Sequence, residues 1–357
     1  MLRDVFGACS FTMFGMFFAP MSTHGRAYVS RLMSHACTLC PRRCSPPDGS
    51  FGFCGVRQRQ GDEIVLTTHG QTTGFAVDPI EKKPLYHFHP GSKILSFGSI
   101  GCNFSCNFCQ NFRTAQSRDR SLLRQTASPD EIVRITWETG CRSVAFTYNE
   151  PIIWAEYAAD VAAACRKAGI KTVAVSNGFI TPEKRPWFFE HIDAANIDLK
   201  SFSDEFYQEQ CGASLEPVKE TLTYLAKSTN VWLEVTTLLI PGLNDSEAEM
   251  HELSTWMRRN LGAETPLHLS AFRPMNRLRD IPSTSPSTLF HAREIAMRTG
   301  LRYVYTGNVS DPAGGTTLCP QCRQAIIVRS GFNIEEYAVD EEACCRFCGQ
   351  SIAIKVQ

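Results

Sequence analysis

Three cysteines in one short segment have the spacing needed to hold a reactive metal cluster. Cys102, Cys106 and Cys109 follow the pattern C-x3-C-x2-C within residues 101–111. Thiolates at this spacing can converge on an iron–sulfur cluster of four irons, and three thiolates leave one iron without a protein ligand. An open metal position can bind a small chelating molecule, as catalytic zinc sites do. The alternative is a structural zinc site whose fourth ligand comes from elsewhere in the chain.

A second group of cysteines lies in the N-terminal part of the sequence. Its members are Cys37, Cys40, Cys44 and Cys54. Four thiolates are enough to close a tetrahedral metal site or a complete iron–sulfur cluster. We therefore expect this group to bind metal, either as a structural zinc site or as a second cluster that relays electrons.

A third group of cysteines lies in the C-terminal part. Its members are Cys319, Cys322, Cys345 and Cys348. Two C-x2-C pairs joined by a longer loop are typical of a zinc ribbon, although Cys344 beside Cys345 leaves the choice of ligand open. The surrounding charges are mixed in sign, so we do not expect a nucleic-acid-binding surface here.

The overall composition agrees with metal-binding thiols and excludes other classes of protein. The chain has 357 residues, 16 cysteines, 36 basic and 36 acidic side chains. Zero net charge gives no reason to expect binding to nucleic acid or to a membrane surface. No apolar stretch reaches the ~18 residues of a membrane-spanning helix. Disulfide-rich secreted proteins are usually much shorter, so these cysteines indicate reduced thiolates and a reducing location such as the cytoplasm.

The elements that must position the cysteine loop are strands alternating with helices. Six short apolar runs are separated by amphipathic stretches, which predicts an α/β fold with a parallel sheet. Both a partial barrel and a doubly wound sheet fit this pattern, and both place functional residues where the strands end. The six runs are residues 94–97, 143–147, 171–175, 195–199, 231–235 and 267–270.

Local signals mark three of the helices. Ser128 is a suitable N-cap, Pro129 fits the first helical position, and Glu131 completes a capping box. A second helix is expected over residues 153–168, where a glycine follows its last turn. A third is expected from about residue 244 to residue 262.

The chain divides into four sections by composition. Residues 1–35 are expected to be an extension or a targeting segment, residues 36–90 a cysteine-rich metal-binding section, residues 91–310 the α/β part and residues 311–357 a zinc-ribbon-like domain. Three interpretations of the first section stay open: a cleaved targeting peptide, a secretory signal, or a poorly ordered extension upstream of a later start. A targeting peptide would place the protein in an organelle matrix instead of the cytoplasm.

The central cysteine loop resembles that of the radical S-adenosylmethionine (SAM) enzymes. The resemblance rests on C-x3-C-x2-C with Phe108 before the last cysteine, directly after the first of six strand–helix units. In that family the open iron chelates SAM, and one electron cleaves the sulfonium to give a 5′-deoxyadenosyl radical that takes hydrogen from a substrate. The resemblance implies a partial (βα)6 barrel, SAM, a [4Fe–4S] cluster on the three cysteines, and a reductant such as flavodoxin or ferredoxin.

A second match to this family follows the second predicted strand. Glu150 and Pro151 are similar to a Gly-Gly-Glu-Pro type loop whose carboxylate meets the amino group of SAM. Tyr148 and Asn149 stand where the relatives carry glycines, so only Glu150 and Pro151 correspond directly. A carboxylate at this position is able to accept hydrogen bonds from an ammonium group.

Other matches lie at the ends of later strands. The resemblance implies that Ser176 and Asn177 hydrogen-bond the ribose or carboxylate of SAM, and that Lys200, in an Asp-x-Lys motif, meets a carboxylate. Residues 240–245 resemble the adenine-side loop, and His268 is a further candidate for cofactor binding. Each also has a simpler explanation: a turn, a surface ion pair, a helix cap or a structural histidine.

A narrower resemblance is to the AmmeMemoRadiSam-system radical SAM enzymes, which are related to pyruvate formate-lyase-activating proteins. It rests on the Cys-x2-Cys-Pro-Arg start of the N-terminal group, residues 78–88, residues 110–111, residues 148–151 and the terminal ribbon. The family name implies association with AMMECR-like and Memo-like proteins. Residues 78–88 are expected either to contact substrate or to form a structured linker. The candidate contact residues are Lys82, Lys83, His87 and His89.

These observations predict a radical SAM oxidoreductase with an unidentified substrate. One hypothesis is that it installs a glycyl radical in a partner protein, and another is that it modifies a protein or a small molecule. The competing class is a non-catalytic iron–sulfur or zinc protein that transfers electrons or acts as a scaffold, for which a closed central cluster is expected. An RNA-modifying enzyme guided by the ribbon would need a basic face, which the charge balance opposes.

Overall fold

The computed structural model describes residues 36–356 of the chain. The predicted extension or targeting segment, residues 1–35, lies outside the described residues. Within residues 36–356, no helix combines the length and apolar character needed to cross a membrane.

The cysteine-rich N-terminal section forms a hairpin followed by a short strand. Strand β1 (Arg57–Gln60) pairs antiparallel with β2 (Glu63–Leu66). Strand β3 (Gln71–Thr72) pairs antiparallel with the distant β6 (Gln125–Thr126). These strands are short and only partly buried, so they bury too little apolar surface to stabilise this section by themselves.

An eight-stranded sheet forms the centre of the molecule, in the spatial order β12-β11-β10-β9-β8-β7-β5-β4. Seven strands are parallel, and β4 pairs antiparallel with β5 at one edge. The strands are β4 (Phe75–Pro79), β5 (Lys93–Phe97), β7 (Ser143–Phe146), β8 (Lys171–Ser176), β9 (Ala194–Asp198), β10 (Trp232–Leu239), β11 (Leu267–Ala271) and β12 (Val304–Gly307).

All six predicted strands are present as consecutive parallel neighbours, from β5 to β11. The two edge strands, β4 and β12, were not predicted from the sequence. Strand β12 has only four residues, and β4 ends at a proline and carries an exposed valine, Val77. Edge strands lack the continuous apolar run of central parallel strands, so their pattern is weak. Strand β4 lies within the predicted N-terminal section but belongs to the main sheet.

Helices connect most of the parallel strands. The capping box at Ser128 is confirmed: its hydroxyl accepts from the amide of Glu131, whose side chain accepts from the amide of Ser128. The second predicted helix begins at Ala155, two residues after its expected start, and follows a 3-10 turn at Pro151–Trp154. The helices are α1 (Phe112–Ala115), α2 (Pro129–Glu138), α3 (Ala155–Lys167), α4 (Arg185–Phe189), α5 (Asp204–Phe206), α6 (Glu216–Ser228), α7 (Glu247–Asn260), α8 (Pro286–Arg298) and α9 (Pro312–Gly315).

The two faces of the sheet are covered differently. On one face, Phe97 and Phe146 pack edge to face at 5.7 Å between ring centroids and contact Trp154. On the other face, the segment after β4 covers the beginnings of the strands, where Ile80 and other apolar side chains join a separate buried cluster. Burying each large apolar side chain contributes about 1.5–3 kcal/mol, so both faces stabilise the sheet.

The C-terminal section has its own small sheet. Strands β13 (Thr317–Leu318), β14 (Ala325–Ser330) and β15 (Asn333–Tyr337) are antiparallel. Buried Arg329 anchors this sheet to the rest of the chain, because its guanidinium donates to the carbonyl oxygen of Tyr86 at 2.7 Å. The C-terminal section is therefore joined to the segment that covers the strand beginnings.

The N-terminal section also touches the loop that follows β5. Gly101 has a φ of +81°, and a Cβ atom added there would lie 2.1 Å from the carbonyl oxygen of Cys54. A glycine is therefore required at this point for two reasons, the backbone conformation and the close approach of Cys54.

Replacing Gly101 with alanine should destabilise the protein more than the same change at Gly140. Gly140 has a similar φ of +66° but no atom within 4 Å of an added Cβ, so Gly140→Ala measures the conformational cost alone. That cost is about 1–3 kcal/mol, and the contact with Cys54 should add to it at position 101. Thermal unfolding of both variants measures the difference. Equal losses of stability would contradict the close contact between the two segments.

Candidate active site

The central cysteine loop leaves the sheet at the end of β5 and is held by a turn from another part of the chain. The amide of Ser105 donates to the carbonyl oxygen of Cys211 at 3.0 Å, and that of Asn107 donates to the carbonyl oxygen of Gln210 at 2.8 Å. Residues Tyr207–Cys211 form a π-helical turn, an element that often occurs at functional sites. The loop is thus fixed in space by a segment about a hundred residues further along the chain.

The three cysteines of the loop lie in a protected environment. Cys106 is buried, and Cys102 and Cys109 are half-buried. Burial raises the pKa of the Cys109 thiol to about 11 and that of Cys102 well above its usual value. Three thiols on one short loop, two of them with a pKa that burial raises, fit a site where a bound cation displaces the thiol protons.

Cys211 is a fourth cysteine next to this loop. Its position in the sequence fits none of the three cysteine groups. Its side chain hydrogen-bonds the thiol of Cys106, and this contact lowers the pKa of Cys106. Only the folded chain brings the two cysteines together, because no spacing pattern relates residues so far apart.

Glu150 is a buried carboxylate at the end of β7 with three protein donors. Ser176 Oγ donates to Oε1 at 2.7 Å, the amide of Asn177 donates to Oε2 at 2.7 Å, and the amide of Ile152 donates to Oε1 at 3.1 Å. Burial raises the pKa of Glu150 to about 7, although the hydrogen bonds from Asn177 and Ser176 act in the opposite direction. A nearby positive charge would restore the ionised form.

Asn177 joins this carboxylate to the cysteine loop. Its side-chain Nδ2 donates to Asn103 Oδ1 at 2.8 Å and lies 3.8 Å from Cys102 Sγ. Asn103 in turn donates to the carbonyl oxygen of Phe179 at 2.9 Å. The structure therefore brings Glu150 and Asn177 together with the cysteine loop in one continuous hydrogen-bond network.

Lys200 lies beyond the end of β9, paired with a carboxylate. Its Nζ is 2.7 Å from Asp198 Oδ2, and its amide donates to the hydroxyl of Tyr207 at 3.0 Å. Burial disfavours the charge, but Asp198 and Cys106 hold the pKa of Lys200 above its ordinary value. The lysine is therefore positively charged and close enough to the cysteine loop to interact with Cys106.

The two residues that depart from the family pattern, Tyr148 and Asn149, make structural contacts. Asn149 Oδ1 accepts from the amide of Ser99 at 3.0 Å, and its Nδ2 donates to the carbonyl oxygen of Gly101 at 3.0 Å. Tyr148 has a left-handed φ of +68°, and its hydroxyl donates to Asp78 Oδ2 at 2.9 Å. Asn149 thus braces the start of the cysteine loop, while Tyr148 reaches back to β4.

The loop after β10 is also tied to the end of β9. Asn244 Oδ1 accepts from the amide of Ile240 at 2.6 Å, and its Nδ2 donates to the carbonyl oxygen of Lys200 at 2.7 Å. The capping of α7 is provided by Ser246 instead, whose hydroxyl accepts from the amide of Glu249 at 3.2 Å. Asn244 therefore shapes the predicted adenine-side loop and is not the helix cap.

The structure does not bring His268 together with the cysteine loop. Its Nε2 is 2.7 Å from Glu234 Oε2, and its ring packs on Tyr86 and Tyr305. Glu234 is the third residue of β10 and also accepts from the amide of His87 at 2.8 Å. His268 thus takes part in a buried network that joins strand beginnings to the C-terminal section. It has the structural role that the sequence offered as the simpler explanation.

The candidate substrate-contact residues after β4 are also engaged within the protein. Lys82 and Lys83 both pair with Asp78, at 2.8 and 2.7 Å. His87 Nδ1 is 2.6 Å from the carbonyl oxygen of Ala353, and the amide of His89 donates to the carbonyl oxygen of Lys355. The sequence left two interpretations open for residues 78–88, substrate contact or a structured linker. These contacts favour the structured linker.

The C-terminal cysteines are arranged to hold one metal ion. The four sulfur atoms, those of Cys319, Cys322, Cys345 and Cys348, all lie within 4.8 Å of one another. The Sγ atoms of Cys319 and Cys348 are 3.7 Å apart. Cys344 lies outside this group and contacts the carbonyl oxygen of Glu342, so the structure selects Cys345 as the ligand.

Known proteins are similar to this chain in sequence. The model of the radical SAM superfamily matches residues 98–253. The uncharacterized protein MJ0808 of Methanocaldococcus jannaschii is 39% identical over 319 residues, which cover 89% of this chain and 95% of that protein. The pyruvate formate-lyase 1-activating enzyme of Escherichia coli K12 is 29% identical over 174 residues, or 47% of this chain and 70% of that enzyme.

Among solved structures, a domain of a pyruvate-formate lyase-activating enzyme from Bacteroides vulgatus matches with a TM-score of 0.42 and 18% identity, covering 46% of this chain and 99% of that domain.

Replacing Cys319 with alanine should remove one bound metal ion per chain and lower the thermal unfolding temperature. The other three sulfurs cannot complete a tetrahedral site, and a structural metal contributes directly to folding. Metal analysis and thermal unfolding of the purified protein measure both effects. Cys344→Ala is the matched control and should keep the metal. Loss of metal in Cys344→Ala as well as in Cys319→Ala would contradict the assignment and make Cys344 a ligand.

Proposed function

The chain belongs to the radical SAM superfamily, and from this premise we propose that it cleaves SAM reductively and uses the resulting radical to take a hydrogen atom from a substrate. We propose that Cys102, Cys106 and Cys109 hold a [4Fe–4S] cluster. When bound, the cluster supplies one electron to the sulfonium of SAM and receives it from a reductant such as flavodoxin or ferredoxin. The observation that carries the proposal is the hydrogen-bond network linking Glu150 and Asn177 to the cysteine loop.

Glu150 is the proposed partner of the amino group of SAM. Its two oxygens accept from Ser176, Asn177 and Ile152, which fixes the direction in which the remaining lone pairs point. A buried carboxylate attracts an ammonium group strongly, because little water competes for either charge. Ser176 and Asn177 thus position Glu150, and Asn177 also holds the carboxylate in register with the cysteine loop.

Lys200 is the proposed partner of the carboxylate of SAM. Its Nζ is paired with Asp198, which keeps it charged while leaving ammonium protons for a second acceptor. The amino and carboxylate groups of one amino acid would then meet groups of opposite charge beyond the ends of β7 and β9, which flank β8 in the sheet. His268 has no part in this proposal, because Glu234 occupies its imidazole.

We propose that the C-terminal cysteines bind zinc in a ribbon-like domain. Four sulfurs at about 2.3 Å from a tetrahedral zinc ion are about 3.8 Å apart. The observed separations of 3.7 Å between Cys319 and Cys348 and 3.8 Å between Cys322 and Cys345 support this identity. The N-terminal cysteines are proposed as a second metal site.

The section boundaries and the partial barrel are also part of the proposal. The parallel order from β5 to β11 supports six strand–helix units forming a partial barrel within residues 91–310, with β12 added at one edge. Strand β4 extends the sheet into the preceding section, residues 36–90. A ribbon-like domain over residues 311–357 agrees with the separate small sheet and its four cysteines.

We propose that the substrate is a partner protein, from which the radical takes a hydrogen atom. The support is the similarity to enzymes named as activators of pyruvate formate-lyase and of 4-hydroxyphenylacetate decarboxylase. AMMECR-like and Memo-like proteins are proposed as partners because of the sequence resemblance described above. A reducing location such as the cytoplasm suits the many free cysteines.

Cys211 favours a second candidate function, a non-catalytic iron–sulfur protein. Its side chain contacts Cys106, so it offers a fourth thiolate that would close the cluster. A closed cluster can transfer electrons but cannot chelate SAM. In the catalytic proposal, Cys211 instead donates a hydrogen bond to the sulfur of Cys106 and is not a ligand.

The two candidates predict different results for two cysteine variants. Cys106→Ala should lose the central cluster and all formation of 5′-deoxyadenosine, because two thiolates cannot hold the cluster. Cys211→Ala should keep the cluster and form product. Anaerobic reconstitution, iron analysis and chromatography of the product measure these outcomes. The buried Cys165, in α3, provides the control Cys165→Ala. Loss of the cluster in Cys211→Ala, with no product from the loaded wild type, would establish the non-catalytic alternative.

Glu150→Gln should weaken SAM binding while the central cluster is still assembled. Glutamine keeps the size of the side chain but removes the charge, and a charged hydrogen bond contributes about 1.5–3 kcal/mol, which corresponds to about 10–100-fold in affinity. Equilibrium binding of SAM to the iron-loaded protein measures the loss. Glu138→Gln, at an exposed ion pair with Arg134, is the matched control. Unchanged affinity in Glu150→Gln would remove Glu150 from the SAM site.

A further inference from the structure

The four N-terminal cysteines surround one apolar cavity. Cys37, Cys40, Cys44 and Cys54 all line it. Leu39, Ile64 and Ile153 contribute apolar side chains to the same wall, and Val56 lies buried nearby. Four free cysteines that line one shared cavity supply the number of thiols that a closed metal site needs.

Backbone amides point at several of these sulfurs. The amide of Phe53 donates to Cys44 Sγ at 3.4 Å. The amide of Arg42 donates to Cys40, and those of Val56 and Arg57 donate to Cys54. Amide hydrogen bonds stabilise thiolate sulfur and are one means by which a protein adjusts the potential of an iron–sulfur cluster.

The spacing of the sulfurs separates this group from the C-terminal one. Among residues 36–356, only the C-terminal cysteines bring three or more ligand atoms within 4.8 Å of one another. Sulfurs around a single zinc ion must be about 3.8 Å apart. Sulfurs that bind the corners of a four-iron cluster lie farther apart, because the irons and sulfides stand between them. No three of the N-terminal cysteine sulfurs lie within 4.8 Å of one another, which fits the corners of a four-iron cluster better than a single zinc ion.

The cavity also reaches the central cysteine loop. Asn103, which directly follows Cys102, lines it together with the N-terminal cysteines. Arg42 Nε donates to the carbonyl oxygen of Asn103, and its other nitrogen contacts the carbonyl oxygen of Gly212. The carbonyl oxygen of Cys54 is packed against Gly101 on the other side of Cys102. The N-terminal cysteine section therefore contacts the residues on both sides of Cys102.

We propose that Cys37, Cys40, Cys44 and Cys54 hold a second [4Fe–4S] cluster that passes electrons to the cluster of the central loop. In each transfer the second cluster is oxidised by one electron and the central cluster is reduced by one. A one-electron donor of the flavodoxin or ferredoxin class then reduces the second cluster again. The direction of transfer rests on the proposed SAM cleavage, whereas the identity of the metal does not.

Metal analysis tests the identity directly. The anaerobically reconstituted full-length protein should contain about eight irons and eight sulfides per chain, four for each cluster, with zinc only at the C-terminal site. Cys44→Ala/Cys54→Ala should keep about four irons, and Cys102→Ala/Cys106→Ala/Cys109→Ala should also keep about four. Retention of the other cluster shows that each variant has folded. About four irons in the wild type, with a second zinc ion, would overturn the proposal in favour of a structural zinc site.

Spectroscopy and product formation test the relay. In the reduced wild-type protein, the two clusters should broaden each other's electron paramagnetic resonance signals, and this interaction should vanish in both variants. Cys44→Ala/Cys54→Ala should still form 5′-deoxyadenosine with dithionite but lose the reaction driven by flavodoxin. Cys141→Ala, which removes a buried cysteine outside all three groups, is the control.

The outcomes distinguish this inference from the proposed function. Two clusters without spin interaction, and with flavodoxin-driven product retained in Cys44→Ala/Cys54→Ala, would overturn the relay. Eight irons with spin interaction but no product from SAM would leave the second cluster in place and count against SAM cleavage alone.

Discussion

A carboxylate buried where parallel strands end is the constraint on which the candidate site depends. Glu150 can remain in the interior only if its oxygens are hydrogen-bonded, because an unpaired buried charge is very costly. Its donors come from the neighbouring strand end, at Ser176 and Asn177. Asn177 is held in turn by Asn103 of the cysteine loop. Satisfying one polar group thus fixes the relative positions of two strand ends and the cysteine loop.

The two ends of the sheet have different tasks. Where the strands end, charged and polar side chains surround the cysteine loop. Where they begin, the segment after β4 and the C-terminal section form a buried network in which His268 pairs with Glu234 and Arg329 binds the carbonyl oxygen of Tyr86. Such a division is common in parallel α/β folds, because loops at the strand ends can vary without disturbing the core.

Local patterns predicted the features that depend on neighbouring residues. The cysteine loop, the six central strands and the capping box at Ser128 each have a signal within a few positions. The contact of Cys211 with Cys106, the pairing of His268 with Glu234 and the bracing of the loop by Asn149 join distant residues. No spacing rule relates such residues, so these contacts could be recognised only in the folded chain. The edge strands β4 and β12 were missed because edge strands are short and less apolar.

The contacts of Arg42 have a consequence for the order in which the molecule is assembled. Its guanidinium bridges Asn103 and Gly212, which is 170 positions away in sequence. Contacts between such distant segments carry a large loop-closure cost and generally form late in folding. We therefore expect the cysteine loop to reach its final shape only after the segment around Arg42 and the turn before Gly212 have both docked. If the loop holds the proposed cluster, we expect the cluster to enter before these last contacts close around the cysteines.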